Sequence, residues 1–173
     1  HHLPNYGVFD EKRVFAPGPS PEPVIFKGQK LGIMICEDMW SPAAAAHLKA
    51  QGAEILIVPN ASPFDFQKHA RRLDIARQRV AETGLSLIYT HMIGGQDDLV
   101  FDGGSFVMDA RGKVVLQGKF FKEDIFSISS DLNLSPGFAN AQPPSPSGRG
   151  RGPCDLSAVA LAKAEAWEGE GLI

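Results

Sequence analysis

The sequence predicts an α/β fold, and two observations carry that prediction. Three apolar runs, at 31–36, 55–59 and 85–93, have the length and composition of buried strands. Between them lie two stretches with helix signals, so strands and helices alternate as in βαβ units, whose crossovers are expected to be right-handed.

The elements follow in order. Residues 1–23 are proline-rich and read as irregular, with apolar pairs at Val8-Phe9 and Val14-Phe15. Leu31 to Cys36 is a continuous apolar run, the mark of a strand covered on both faces. Ser41-Pro42 opens a helix with Ser as N-cap and Pro in its first turn, and Gly52 closes it. Ile55 to Pro59 repeats the buried-strand pattern. Gln67 to Thr83 is amphipathic, with Ala70, Leu73, Ala76 and Val80 on one face, and Gly84 ends it. Leu85 to Ile93 is the third strand, and Ser105–Met108 with Val114–Leu116 forms a hairpin around Asp109-Ala110-Arg111-Gly112.

Composition bounds the function. With 173 residues, 43% hydrophobic and 21% charged, the chain fits one globular domain with an appendage. A net charge of −3 argues against nucleic acid held by bulk charge, and no apolar run reaches the roughly 20 residues of a membrane helix. Two cysteines, Cys36 and Cys154, make no disulfide framework, so a reducing cytoplasm is expected. The chain starts at His1 with neither Met nor signal peptide, and is expected to be a piece of something longer. Residues 1–128 form the expected domain. Residues 129–173, with Gln142 to Pro153 rich in Pro, Gly and Ser, are expected to be a linker or atypical, disordered tail; its last 20 residues are compatible with a short helix.

Chemistry is expected where the strands end, since open α/β sheets gather active residues at their carboxyl edge. Cys36-Glu37-Asp38, Asn60-Ala61-Ser62-Pro63 and His91 to Gln96 are the three ends. From position alone Cys36 is either an inert buried thiol or a nucleophile on a tight turn. A nucleophile needs its thiolate favoured, while Glu37 and Asp38 would oppose it, so the site demands a cation from elsewhere. His1, His2, His47, His69 and His91 show no paired metal-ligand spacing, and no metal is expected. The cations Lys68, Arg71, Arg72, Arg77 and Arg79 read as a solvated helix face, diluted by Asp74 and Glu82.

Ile35-Cys36-Glu37-Asp38-Met39-Trp40 resembles the nucleophile motif of the nitrilase (carbon–nitrogen hydrolase) superfamily, in its glutamine-dependent NAD synthetase branch. His2 to Arg13, Asn60-Ala61-Ser62-Pro63-Phe64 and Gly94 to Gly103 resemble further motifs of that branch, in the same order. The resemblance implies a nitrilase-like α-β-β-α sandwich of which this chain is the C-terminal portion. It implies hydrolysis of the L-glutamine amide by a Glu–Lys–Cys triad, with Cys36 as nucleophile. The family pattern puts the lysine one residue before His1 and the glutamate further upstream, so Cys36 alone of the triad is expected here. Glu11 matches a glutamate that orients the lysine; its other reading is a solvated charge beside Lys12 and Arg13. Tyr6, Ser62 and Lys68 fall where the family holds substrate, and Glu37 fits its ammonium. Ser62 read otherwise caps the following helix, and Glu37 is a structural anion. His91 stands where the family often has Asn. No cofactor is expected in this portion; ATP and Mg belong to the synthetase domain, which carries Ser-Gly-Gly-x-Asp-Ser, a motif not found here. Full-length relatives are expected to be homo-oligomers. A non-catalytic remnant and an amidase of another nitrilase branch remain alternatives.

Overall fold

The computed structural model describes residues 2–7 and 9–128. The expected tail at 129–173, its short helix and Cys154 lie outside them. Strands β1 (Val24–Phe26), β2 (Gln29–Ile33), β3 (Ile55–Asn60), β4 (Ser86–His91), β7 (Phe106–Met108) and β8 (Val114–Gln117) form a six-stranded sheet in the order β1-β2-β3-β4-β7-β8. The central pairs β2–β3 and β3–β4 are parallel; the outer pairs are antiparallel. Helix α1 (Pro42–Ala50) connects β2 to β3, and α2 (Lys68–Thr83) connects β3 to β4. Strands β5 (Ile93–Gln96) and β6 (Leu99–Asp102) make a separate antiparallel ribbon.

Local chemistry sets these bounds. The Ser41 hydroxyl accepts from the Ala43 N–H, as the capping signal requires. Gly84 adopts φ +66° and its N–H closes α2 on Val80 O. Gly32 has a packing reason: a Cβ there would stand 3.0 Å from Ala53 Cβ and 3.3 Å from Leu48 Cβ, so its absence lets α1 settle on β2. Both helices lie on one face, where Ala44, Ala45, Leu48, Ala76 and Val80 meet Met34, Leu56, Val58, Leu87, Tyr89, Phe106 and Met108.

Several expectations are corrected. Among the described residues, strands β2 and β3 are fully covered on one face only: Leu31, Ile33, Ile55 and Ile57 are half-buried, and Ile35 is 62% exposed. The register aligns Ile33, Ile57, Ile88, Val107 and Leu116 as one apolar row across the sheet face opposite the helices. The third strand stops at His91, because Met92 turns to Asn60 O and the chain enters the β5–β6 ribbon. A hairpin joining β1 to β2 had no strong signal; Lys27 (φ +48°) and Gly28 (φ +84°) form its two-residue turn. On α2, Ala70 is exposed, whereas Arg72 and Arg79 are buried. Arg72 turns inward to a buried anion, Asp102, whereas Arg79 is buried with only its Nη2 paired, to the exposed Glu82.

Candidate active site

Cys36 follows the end of β2 and opens a 3-10 turn, Cys36–Trp40, on the parallel edge of the sheet. Its φ is +48°, a left-handed conformation that a side chain seldom adopts. The strain turns the thiol out of the strand line to a half-buried position, and such outliers persist where the surroundings hold them. Asp38 is what holds this one: its carboxylate accepts from the Ile35 N–H at 3.0 Å and from the His2 N–H at 2.7 Å. Asp38 is therefore 2% exposed and occupied with backbone.

Burial is the main force raising the Cys36 thiol, with Glu37 and Glu11 adding to it. Asp38, expected to act likewise, is not among the causes. Two groups work the other way. The backbone N–H of Ala61 favours the thiolate, and Lys68 supplies the cation that the sequence demanded. Lys68 is itself pulled below its ordinary value by burial and by Arg72, then raised in turn by Cys36.

Tyr6 completes the rim. Its hydroxyl donates to Glu37 Oε2 at 2.7 Å, and burial together with that carboxylate pushes it up to about 12. Arg71 stacks on Trp40, 4.9 Å from the ring centroid, and lies within electrostatic reach of Tyr6. Tyr6, Glu11, Cys36, Glu37 and Lys68 thus converge. Lys30 is remote: its N–H meets Glu54 and its Nζ lies beside Gly52, at the sheet's opposite edge.

Ser62 follows the end of β3. It is 4% exposed, and its hydroxyl is engaged by Asn60, by Arg72 and by His91. It does not cap α2, whose N-cap is Gln67. His91 is buried against Ser62, and burial pulls it down to about 4, so the ring is neutral near pH 7. Sequence reasoning passed over Ala61 as a donor and over Arg72 and Asp102. Their contributions are a backbone N–H and a buried ion pair, neither of which leaves a pattern in sequence. Among the described residues no three His, Cys, Asp or Glu side chains group to hold a metal ion, and no helix is long and apolar enough to cross a membrane.

Fold and site define an α/β protein with helices on one sheet face and a cysteine-centred cluster of side chains at the carboxyl ends of its parallel strands. The chain belongs to the carbon–nitrogen hydrolase family, whose model matches residues 1–135. Over 128 residues it is 47% identical to the glutamine-dependent NAD(+) synthetase of Rhodobacter capsulatus, covering 74% of this chain and 23% of that protein. The solved glutamine-dependent NAD+ synthetase of Acinetobacter baumannii, in complex with ADP, superposes with a TM-score of 0.67 at 41% identity, over 72% of this chain and 24% of that one. An amidase of the nitrilase superfamily from Nesterenkonia gives 0.58 at 30% identity, over 68% and 44%. The fold is thus nitrilase-like. The chain spans about a quarter of the length of the curated relatives it matches.

Proposed function

We propose that this chain carries the nucleophile-bearing part of a glutamine amidohydrolase site that supplies ammonia for NAD synthesis from deamido-NAD. The observation that carries the reading is Cys36 on its left-handed turn at the carboxyl ends of the parallel strands, with the Lys68 charge favouring its thiolate. The relatives' names add the substrate.

The Cys36 thiolate attacks the side-chain amide carbon of L-glutamine. Ammonia leaves with an added proton, and a thioester remains. Water then cleaves the thioester to glutamate and restores the thiol. Glu37, held by Tyr6, takes the substrate ammonium, and Lys68 takes its carboxylate. Ser62 contributes through the loop whose shape it fixes. Glu11 serves the upstream lysine that the family pattern implies.

That lysine stabilises the oxyanion, and the upstream glutamate moves the protons. A polypeptide of these 173 residues alone is therefore a poor catalyst. Loss of the general acid–base costs about 10² to 10⁴ in rate. Loss of an oxyanion donor costs about 10² to 10³, and the two do not simply add. In the full-length protein the partner is a synthetase domain using ATP and Mg, within a cytoplasmic homo-oligomer.

The test is ammonia release from glutamine by the 173-residue chain and by a version extended upstream through the lysine and glutamate segments. The reading predicts a silent short chain and an active extended one that Cys36→Ala abolishes. Equal activity in both would overturn the inactivity of the short chain. An extended version that survives Cys36→Ala would overturn the nucleophile.

A further inference from the structure

Both polar groups of residue 35 close on residue 38. The Asp38 N–H donates to Ile35 O at 3.0 Å, and Asp38 Oδ2 accepts from the Ile35 N–H at 3.0 Å, so Cys36 is enclosed between them. The sheet reaches only as far as the preceding residue: β2 ends at Ile33, and the Met34 N–H still donates to Ile57 O at 2.9 Å. The left-handed conformation of Cys36 begins just beyond that hold.

The second Asp38 oxygen reaches a distant part of the chain. Oδ1 accepts from the His2 N–H at 2.7 Å, across 36 residues. The adjacent carboxylate does the same, since Glu37 Oε2 accepts from the Tyr6 hydroxyl at 2.7 Å. Two consecutive side chains of the Cys36 turn are thus tied to one N-terminal segment. That segment is braced internally: the Glu11 N–H donates to Pro4 O at 3.4 Å, and the Lys12 N–H to Asn5 Oδ1 at 3.3 Å, so Glu11 is carried with it. Of the two ties, the Glu37–Tyr6 bond is exposed, whereas Asp38 is 2% exposed and its charge-assisted bonds lie away from water.

We propose that Asp38 is a positioning residue that couples the N-terminal segment to the nucleophile: one oxygen holds the turn that sets Cys36, and the other docks residues 2–6 on that turn. The proposal rests on Cys36 being the nucleophile. Tyr6 and Glu11 then take their places relative to the sulfur through this carboxylate. Asparagine does not replace it. Asp38→Asn leaves one oxygen to accept and sets an NH2 against the other N–H donor, whichever way the amide is turned.

A loosened turn moves the sulfur toward water. On the helix side Met34, Met39 and Leu48 are fully buried and fill the space, while Ile35 is exposed. Burial is what chiefly raises the thiol, so a freed Cys36 titrates lower. The charged groups facing the sulfur are Glu37, Lys68 and Glu11, with the phenols of Tyr6 and Tyr89 nearby, and none of them changes in the variants below.

The experiment follows alkylation of Cys36 by iodoacetamide across pH, on the full 173-residue chain, by mass of the Cys36 peptide. It reads the thiol whether or not glutamine is the substrate, so failure of the glutaminase reading and failure of this proposal stay distinct. Asp38→Asn is expected to lower the thiolate midpoint. Each unit of fall makes the thiolate about tenfold more abundant and about threefold less nucleophilic, so alkylation at pH 7.5 should run about threefold faster or more. His2→Pro removes the N–H that Oδ1 holds and leaves Asp38 in place, and should shift the profile the same way by less. His2→Ala keeps that N–H and should match the parent. Leu87→Ala, in the core on β4, lowers the melting temperature without touching the turn and should leave the midpoint in place. A midpoint in Asp38→Asn that stays or rises would overturn the proposal, as would an equal fall in Leu87→Ala. Identical profiles for His2→Pro and His2→Ala would overturn the coupling to the N-terminal segment. If Asp38→Asn does not fold, the two His2 variants decide: a fall in His2→Pro alone supports the proposal, and superposition overturns it.

Discussion

The Tyr6 hydroxyl donates to the Glu37 carboxylate at 2.7 Å, tying the N-terminal segment to the residue that follows Cys36. With its ionisation pushed up to about 12, Tyr6 remains a donor throughout the neutral range. It thereby fixes the direction of the carboxylate assigned to the substrate ammonium. Tyr6 is 57% exposed, so the bond is discounted for solvent. Tyr6→Phe is expected to cost about 1 kcal/mol of glutamine binding, about fivefold in Kd. Calorimetry on a Cys36→Ala background measures it without turnover. An unchanged Kd would remove Glu37 from the substrate site.

The neutral His91 makes stability depend on pH. Unfolded, the ring has its ordinary value near 6.5; folded, burial lowers it to about 4. Between those values the unfolded chain binds the proton and the folded one does not. Stability is therefore complete above about pH 6.5 and falls as pH drops toward 4. The loss is on the order of 3 kcal/mol across that window, shared with Asp102 and Arg72. Urea midpoints from pH 7 to 4.5 should show it. His91→Asn, which has no proton to gain, should flatten the slope over that range.

The helix-to-strand alternation was legible because α1 announces itself by its Ser41 cap and Gly52, α2 by its periodicity and the Gly84 stop, and β3 by its apolar run. Cys36, Glu37, Tyr6 and Lys68 were legible as motif positions. The β5–β6 ribbon was not: Gly94-Gly95-Gln96 reads as a loop, since glycine has no side chain to pack, and only pairing with Leu99–Asp102 makes it a strand. Arg72 was misread because helical periodicity assigns arginine to solvent. Its burial depends on Asp102, thirty residues on, and a single helix carries no record of that partner. Continuous apolar runs implied cover on both faces, but the run reports how apolar a strand is, not what lies against it.

Gly32 gives a prediction about packing. The position where Ala would place its methyl is 3.0 Å from Ala53 Cβ and 3.1 Å from Leu56 Cδ2. Ala53 Cβ is fixed to its backbone, and the Leu56 methyl is wholly buried in the core. Gly32→Ala must shift Ala53, Leu56 and, through Leu48, α1 by a few tenths of an ångström, at about 1 to 3 kcal/mol. Denaturant unfolding with an unchanged m-value measures it. Because β2 leads directly into the Cys36 turn, Cys36 alkylation should also change. A variant as stable as the parent would mean that α1 shifts freely on β2.

The open sheet face gives the last prediction. Ile33 and Ile57 are register partners in adjacent parallel strands, half-buried, with Leu31 and Ile55 beside them and Ile35 exposed beyond. Val24, Ile25 and Phe26 on the adjoining edge strand are exposed as well. Contiguous apolar surface of this kind draws copies together, and an exposed apolar edge strand offers unpaired backbone groups besides. The 173-residue chain is expected to self-associate in a concentration-dependent way, measurable by light scattering. Ile57→Glu places a charge in the middle of the face, where a second copy would have to bury it. It should shift the population toward monomer while far-ultraviolet circular dichroism stays unchanged. Ile25→Lys should do the same if the β1 edge is the contact, and leave association untouched if the face is. A parent chain monomeric at all concentrations would mean that half-burial already satisfies this row.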